Sequence, residues 1–300
     1  LDFAALNSRL TGSFDWFNRT TLDMVGPAPL LPYILGTDVP KMNNADMRSY
    51  GFELEIGWRD RIRDFAYGVK AVLSDAQQEI MRYPNDTKKI DTWYEGKKVG
   101  EIWGYTTVGI AKTQAEMDAH LASMSKDKQN ALGGNWAAGD IMYADLNGDG
   151  SVNGGAGILG DTGDRTIIGN STPRYNIGIN VDMQWKNFDF SMFWQGVMKR
   201  DVEVGGPYFW GASGGQWQSA GFTEHWDFFR PEGHRLGANL NAYYPRPIFN
   251  THAGRNQHTQ TRYLQNGAYL RLKNIQLGYT LTDRCTLMKN IGVESVRFYV

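Results

Sequence analysis

Cysteine is almost absent from this sequence: Cys285 is the only one in 300 residues. A disulfide framework within the chain and a thiolate metal cluster are both excluded, and Cys285 reads as a small buried or half-buried residue. No run of about 18 apolar residues occurs, so no segment reads as a transmembrane helix. A surplus of charge is missing too. The net charge of −1 gives no electrostatic case for nucleic acid or an anionic membrane surface as partner. The histidines, at 120, 225, 234, 252 and 258, form no zinc-binding spacing and read as loop residues. There is no GxSxG, P-loop or dinucleotide fingerprint. Glu53 and Glu55 share one parity, and a wet sheet face explains them more simply than glycosidase chemistry. An enzyme is therefore not expected. Leu1-Asp2-Phe3-Ala4 has no signal-peptide character, and Val296–Val300 reads as part of a strand, so the expectation is a fragment.

What the sequence does contain is alternation of period two. From Asn176 to Trp185 the odd positions Ile177, Ile179, Val181, Met183 and Trp185 are apolar, and the even ones are polar or glycine. After Lys186-Asn187 the pattern resumes with Phe188, Phe190, Met192 and Trp194, with Phe193 as the exception. A second hairpin reads Tyr50, Phe52, Leu54, Ile56, Trp58, then a turn over 59–64, then Phe65, Tyr67, Val69, Ala71, Leu73. In a third segment Leu270 and Leu272 lie on one parity and Ile275, Leu277 and Tyr279 on the other. This places a β-bulge at Lys273-Asn274. Leu10, Phe14 and Trp16 mark an earlier strand.

The expected strands are 9–17, 47–58, 65–75, 175–185, 188–198, 269–281 and 293–300, with connections that alternate long and short. A half-wet soluble sandwich also alternates. It has no reason to gather every long connection at one end, whereas a transmembrane barrel does. Trp58 and Phe65, and Trp185 and Phe188, bracket short turns as girdle residues would. The expected fold is all-β, an antiparallel transmembrane β-barrel seen in part, with long extracellular loops at 76–174 and 199–265.

The loops carry the remaining signals. Thr113-Gln114-Ala115-Glu116 is a capping-box pattern and starts a short helix near 114–130. Residues 103–110 read as a further strand. Asp145, Asn147 and Asp149, with Gly150 sixth and Ser151 next, match the first half of a calcium loop. Position twelve is Ala156, so Asp161 or Asp164 would have to close the site. Two readings stand: a calcium site, and a loop of Asx turns satisfied by its own backbone. Tyr208, Trp210 and Trp217 lie in a glycine-rich stretch, where they either contact a ligand or partner or pack the loop on itself.

Several segments resemble one family. They are Lys41–Met47 with Gly51–Leu54, Gly139–Gly150, Asp164–Gly169 and Ala268–Tyr279. In this order they are similar to the SusC/RagA-type TonB-dependent outer-membrane transporters of Bacteroidetes. That family runs from the segment equivalent to Asp145–Gly150 straight to an acid before Arg-Thr, whereas this chain has extra residues around 154–163. The resemblance implies a 22-stranded barrel with an amino-terminal plug. It also implies a SusD-like surface lipoprotein as partner, the TonB complex as energy source and an oligosaccharide or peptide as cargo, in the lipid of the outer membrane. The plug, its TonB box and the last strands are expected to lie outside this sequence. Competing readings are a passive porin or adhesin barrel and a soluble, secreted carbohydrate-binding sandwich.

Overall fold

The computed structural model of the chain describes residues 1–28, 36, 41–210, 222–249, 253–282 and 294–300. Its strands are β1 (Asp2–Ala5), β2 (Leu10–Val25), β3 (Asn43–Ile62), β4 (Phe65–Arg82), β5 (Glu101–Gly104), β6 (Thr107–Ile110) and β7 (Ile141–Tyr143). They continue with β8 (Thr166–Asn170), β9 (Arg174–Trp185), β10 (Phe188–Lys199), β11 (Asp201–Glu203), β12 (Leu264–Asn266), β13 (Tyr269–Thr282) and β14 (Ser295–Tyr299). Helix α1 spans Gln114–Ala122, and Pro207–Trp210 form a single further helical turn. Eight strands form a single antiparallel sheet in the order β1-β2-β3-β4-β9-β10-β13-β14. Neighbouring strands are sequence neighbours among those eight, as in an up-and-down barrel wall.

Register explains why alternation in single strands becomes two continuous faces. Leu10, Trp58, Val69, Val181, Met192 and Ile275 are paired in turn across six strands, as are Phe14, Leu54, Leu73, Ile177, Gly196 and Leu270. The opposite face holds Ser13, Glu55, Val72, Gly178, Gln195 and Arg271 in one row. A Glu55 carboxylate pairs there with Lys70 at 2.7 Å. One face suits hydrocarbon and the other water. Phe193 stands on the wet face, opposite Asn180 and Asn274, and its ring lies over Gly178. The bulge falls where the parity switch places it. Phe193 pairs with Asn274 and Trp194 with Leu272, so Lys273 is the extra residue and both apolar runs of β13 stay on one face.

Several expectations change in detail. The strands run further than the apolar alternation does: β3 has 20 residues and β4 has 18. At about 3.3 Å per residue, β3 and β4 exceed what a tilted bilayer crossing needs. Beyond the apolar stretch they continue as polar strand held by ion pairs, Arg82 to Asp46 at 2.7 Å and Arg48 to Glu79 at 2.8 Å. The turn expected over 59–64 closes to Arg63-Asp64, with Arg63 at φ +55°. Short β1, which offers too few positions for a period, pairs with β2. The helix ends at Ala122, well before 130, and the strand expected over 103–110 is divided into β5 and β6.

Candidate functional site

The chain's two long connections, between β4 and β9 and between β10 and β13, fold against each other. The first supplies an apolar cluster that includes Tyr105, Met117, Leu132, Trp136, Ile141, Tyr143 and Val152. Helix α1 enters it through Met117. Its start is fixed by Thr113 Oγ1, which accepts from the Glu116 N–H at 3.1 Å, and by Glu116 Oε2, which accepts from the Lys112 N–H at 2.6 Å. The second connection is laced on by backbone bonds. The Tyr105 N–H donates to Thr259 O at 2.9 Å, and the Thr261 N–H donates to Tyr105 O at 3.0 Å.

Polar side chains complete that junction. Asp140 is wholly buried. Its Oδ1 accepts from Arg246 Nε at 2.7 Å and Asn256 Nδ2 at 2.9 Å, and its Oδ2 accepts from Arg246 Nη2 at 2.7 Å and the Ala137 N–H at 3.0 Å. Arg255, 4% exposed, holds Nη1 3.5 Å from the same carboxylate. A charge removed from water needs this density of donors. Gly139 makes the approach possible: at φ +88° a Cβ there would fall 2.3 Å from the Phe229 ring. Tyr143, also buried, donates to Arg255 O at 2.7 Å and accepts from Gln260 Nε2 at 3.1 Å. Burial pushes its hydroxyl well above the ordinary tyrosine value. Gln129 Oε1 accepts from the Tyr143 N–H at 3.1 Å and lies 3.2 Å from His120 Nε2, and burial lowers that imidazole below its usual value.

An apolar cleft of about 340 Å³ opens in the second connection, lined chiefly by Trp210, Phe222, His225, Trp226, Phe228 and Tyr244. Its walls are set by ring contacts. Trp210 meets Tyr263 edge-on at 4.3 Å, His225 lies 5.1 Å from Tyr244, and Trp226 stacks along Phe228 at 6.3 Å. Arg246 also lines the cleft, so the buried Asp140 network forms part of its support. The volume and the apolar lining suit a side chain or a ring of a larger ligand.

The residues expected from sequence divide between these regions. Trp210 is in the cleft wall; Tyr208, 80% exposed, sits 5.3 Å from Phe222 at its edge; Trp217, like Cys285 and His252, lies outside the described residues. Asp145, Asn147, Asp149, Ser151, Asp161 and Asp164 lie on the loop between β7 and β8. There the acids and Asn147 all accept from backbone N–H groups. Asp145 takes Gly148 and Gly150 at 2.7 and 2.8 Å, and Asp164 takes Leu146 and Asn153 at 2.7 and 2.8 Å. Asn147, Asp149 and Asp161 take Asp149, Ser151 and Ala156 in the same way. Among the described residues no three His, Cys, Asp or Glu side chains are placed to share a metal ion. The donor set as arranged organises the loop's own backbone. Sequence reasoning missed Asp140, Arg246 and the cleft residues Phe228 and Tyr244. Asp140 is more than 80 positions from the other three, and no local pattern links it to them.

Comparison with known proteins now bears on the whole chain. No family model matches it. It is 28% identical over its full length to the TonB-dependent receptor P3 of Formosa agariphila, and 24% identical over 94% of its length to the TonB-dependent receptor SusC of Bacteroides thetaiotaomicron. It spans 28% and 25% of those proteins. The solved structure of the RagAB peptide transporter matches 99% of this chain with a TM-score of 0.68 and 20% identity, covering 30% of that chain. The two-faced sheet, the long and short connections and these likenesses agree: over its length the chain is similar to a barrel segment of the SusC/RagA-type TonB-dependent outer-membrane receptors.

Proposed function

We propose that this segment forms wall and outer loops of an importer that carries an oligosaccharide or a peptide across the outer membrane. The TonB complex supplies the energy, and a SusD-like surface lipoprotein works with the receptor. The observation that carries the proposal is the body built from both long connections, with an apolar cleft in it, standing on a sheet of receptor type. The long connections, 76–174 and 199–265, lie on the extracellular side in this reading, and the short turns face the periplasm. The likeness to a peptide transporter supports a peptide as cargo, and the likeness to SusC supports a glycan; the aromatic cleft can receive either by stacking. The mechanism is conformational gating and involves no bond chemistry.

Deleting the gene for the full-length receptor in its host tests this directly. Growth on one polymer or peptide mixture is expected to fail while growth on simple sugars and amino acids persists. Complementation with Trp210→Ala and Phe228→Ala together is expected to reduce uptake about tenfold, as for loss of central aromatic contacts. Normal growth of the deletion strain on every glycan and peptide would overturn the importer assignment.

A further inference from the structure

The short turns lie side by side at one end of the sheet. The Arg59 N–H donates to Arg9 O at 2.8 Å between the ends of β2 and β3, and Phe65 pairs with Trp185 beside the next two turns. These turns and the strand ends next to them carry Arg9, Arg59, Arg61, Arg63 and Lys186 against Asp60 and Asp64. Asp60 is engaged by Arg9 at 3.2 Å. Among the described residues no carboxylate forms an ion pair with Arg59, Arg61, Arg63 or Lys186, and all four are exposed. The opposite end of the same strands differs. There Arg48, Arg82 and Arg174 each meet a carboxylate, Glu79, Asp46 and Asp75 respectively. At the short-turn end five cations thus stand against two carboxylates, and four of the five have no ion-pair partner among the described residues.

Two of these cations are tied to aromatic rings of the apolar face. The Arg9 guanidinium lies 5.8 Å from the centre of Trp58, and Lys186 Nζ lies 5.1 Å from the centre of Trp185. Trp185 and Phe188, 51% and 44% exposed, stack at 6.3 Å just inside the turn. Aromatic rings at the edge of an apolar band mark the depth of the lipid headgroups, and the cations stand immediately beyond them. Phosphate diesters lie at that depth, and a guanidinium or ammonium beside a ring answers their charge.

We propose that this cluster binds the phosphate of anionic glycerophospholipids in the leaflet at the short-turn end, so that the receptor is seated at a fixed depth on that side. The proposal rests on the orientation given above, with short turns toward the periplasm. The other phosphate source, the lipid A of the outer leaflet, is distinguished by the test.

The full-length receptor is purified in detergent, incubated with equal phosphatidylglycerol and phosphatidylethanolamine, and the lipid retained is read by native mass spectrometry. Preferential retention of phosphatidylglycerol is expected. Arg63→Asn with Lys186→Asn removes two charges and keeps the turns, because both positions have φ near +55° and Asn accepts that conformation. About fivefold of the preference is expected to be lost per charge removed. Equal retention of the two lipids by the unaltered receptor, or an unchanged preference in the variant, would overturn the site. Lipid A displacing phosphatidylglycerol from the same residues would overturn the choice of leaflet. Asn187→Cys, labelled with an impermeant maleimide, separates the underlying orientation: labelling only after permeabilisation supports it. Labelling on intact cells refutes the orientation, whatever the lipid result.

Discussion

Asp140 collects two bonds from Arg246, one from Asn256 and one from its own turn, with Arg255 close by. Asp140→Ala deprives two guanidinium groups of a shared counter-charge in the interior. The loop body is expected to lose about 3 kcal/mol, as for other buried pairs broken on one side. Limited proteolysis of the full-length receptor checks this: cleavage within 199–265 should accelerate while the wall strands stay protected. His120 gives a second expectation. Burial favours its neutral form, so its folded pKa lies below that of the unfolded chain. Unfolded protein then binds more protons in the interval between those two values, and stability falls as pH drops through it. The contribution is intact above about pH 6.5, the ordinary histidine value, and is lost below it. Hydrogen-exchange protection across 114–132, taken relative to the intrinsic rate at each pH, should fall between pH 7 and 5 and lose that dependence in His120→Gln. Unchanged protection in the unaltered receptor would refute the burial argument.

At the scale of elements, strand parity makes a sharp comparison. Ile179 and Asn180 are adjacent, yet Ile179 sits in the row with Ala71 and Trp194 and Asn180 in the row with Lys70. Ile179→Arg puts a charge toward hydrocarbon and should cost about 2–4 kcal/mol if it lies near mid-bilayer, whereas Asn180→Arg faces water and should cost little. Urea unfolding of the refolded receptor in lipid measures both, and equal costs would mean the faces are assigned wrongly. The loop at 145–164 supports another expectation. Its side-chain oxygens already receive backbone N–H groups, and we predict that this network holds its shape without an ion. A micromolar calcium site would add about 4 kcal/mol at millimolar calcium. Melting of the receptor with and without chelator should therefore agree within about a degree, and a large shift would establish calcium as a ligand of this loop.

For the molecule as a whole, the sheet begins at β1 and ends at β14, and among the described residues no pairing joins those two strands. Open edges present unpaired N–H and C=O groups, which hydrocarbon cannot satisfy. Residues 1–300 alone should aggregate or capture other strands in detergent, whereas the full-length receptor should show the heat-modifiable migration of a closed barrel. A soluble monomer from residues 1–300 without detergent would favour a sandwich. Charge is also a property best read at this scale. The net of −1 hides an excess of cations at the short turns, because acids and bases balance over the chain and not locally.

Sequence alone determined the wall. Side chains alternate strictly along a strand, so Ile177 to Trp185, Tyr50 to Trp58 and the switch at Lys273 carry face, register and bulge in a few residues each. Local geometry also placed the Thr113 cap and the turn at Lys186. Tertiary structure decided the rest. Tyr105 meets Thr259, and Asp140 meets Arg246, across more than 100 positions; no period or spacing encodes such meetings. Trp210 was visible as an aromatic in a glycine-rich stretch, but its cleft was not, because a cleft exists only when distant segments leave a volume between them unfilled.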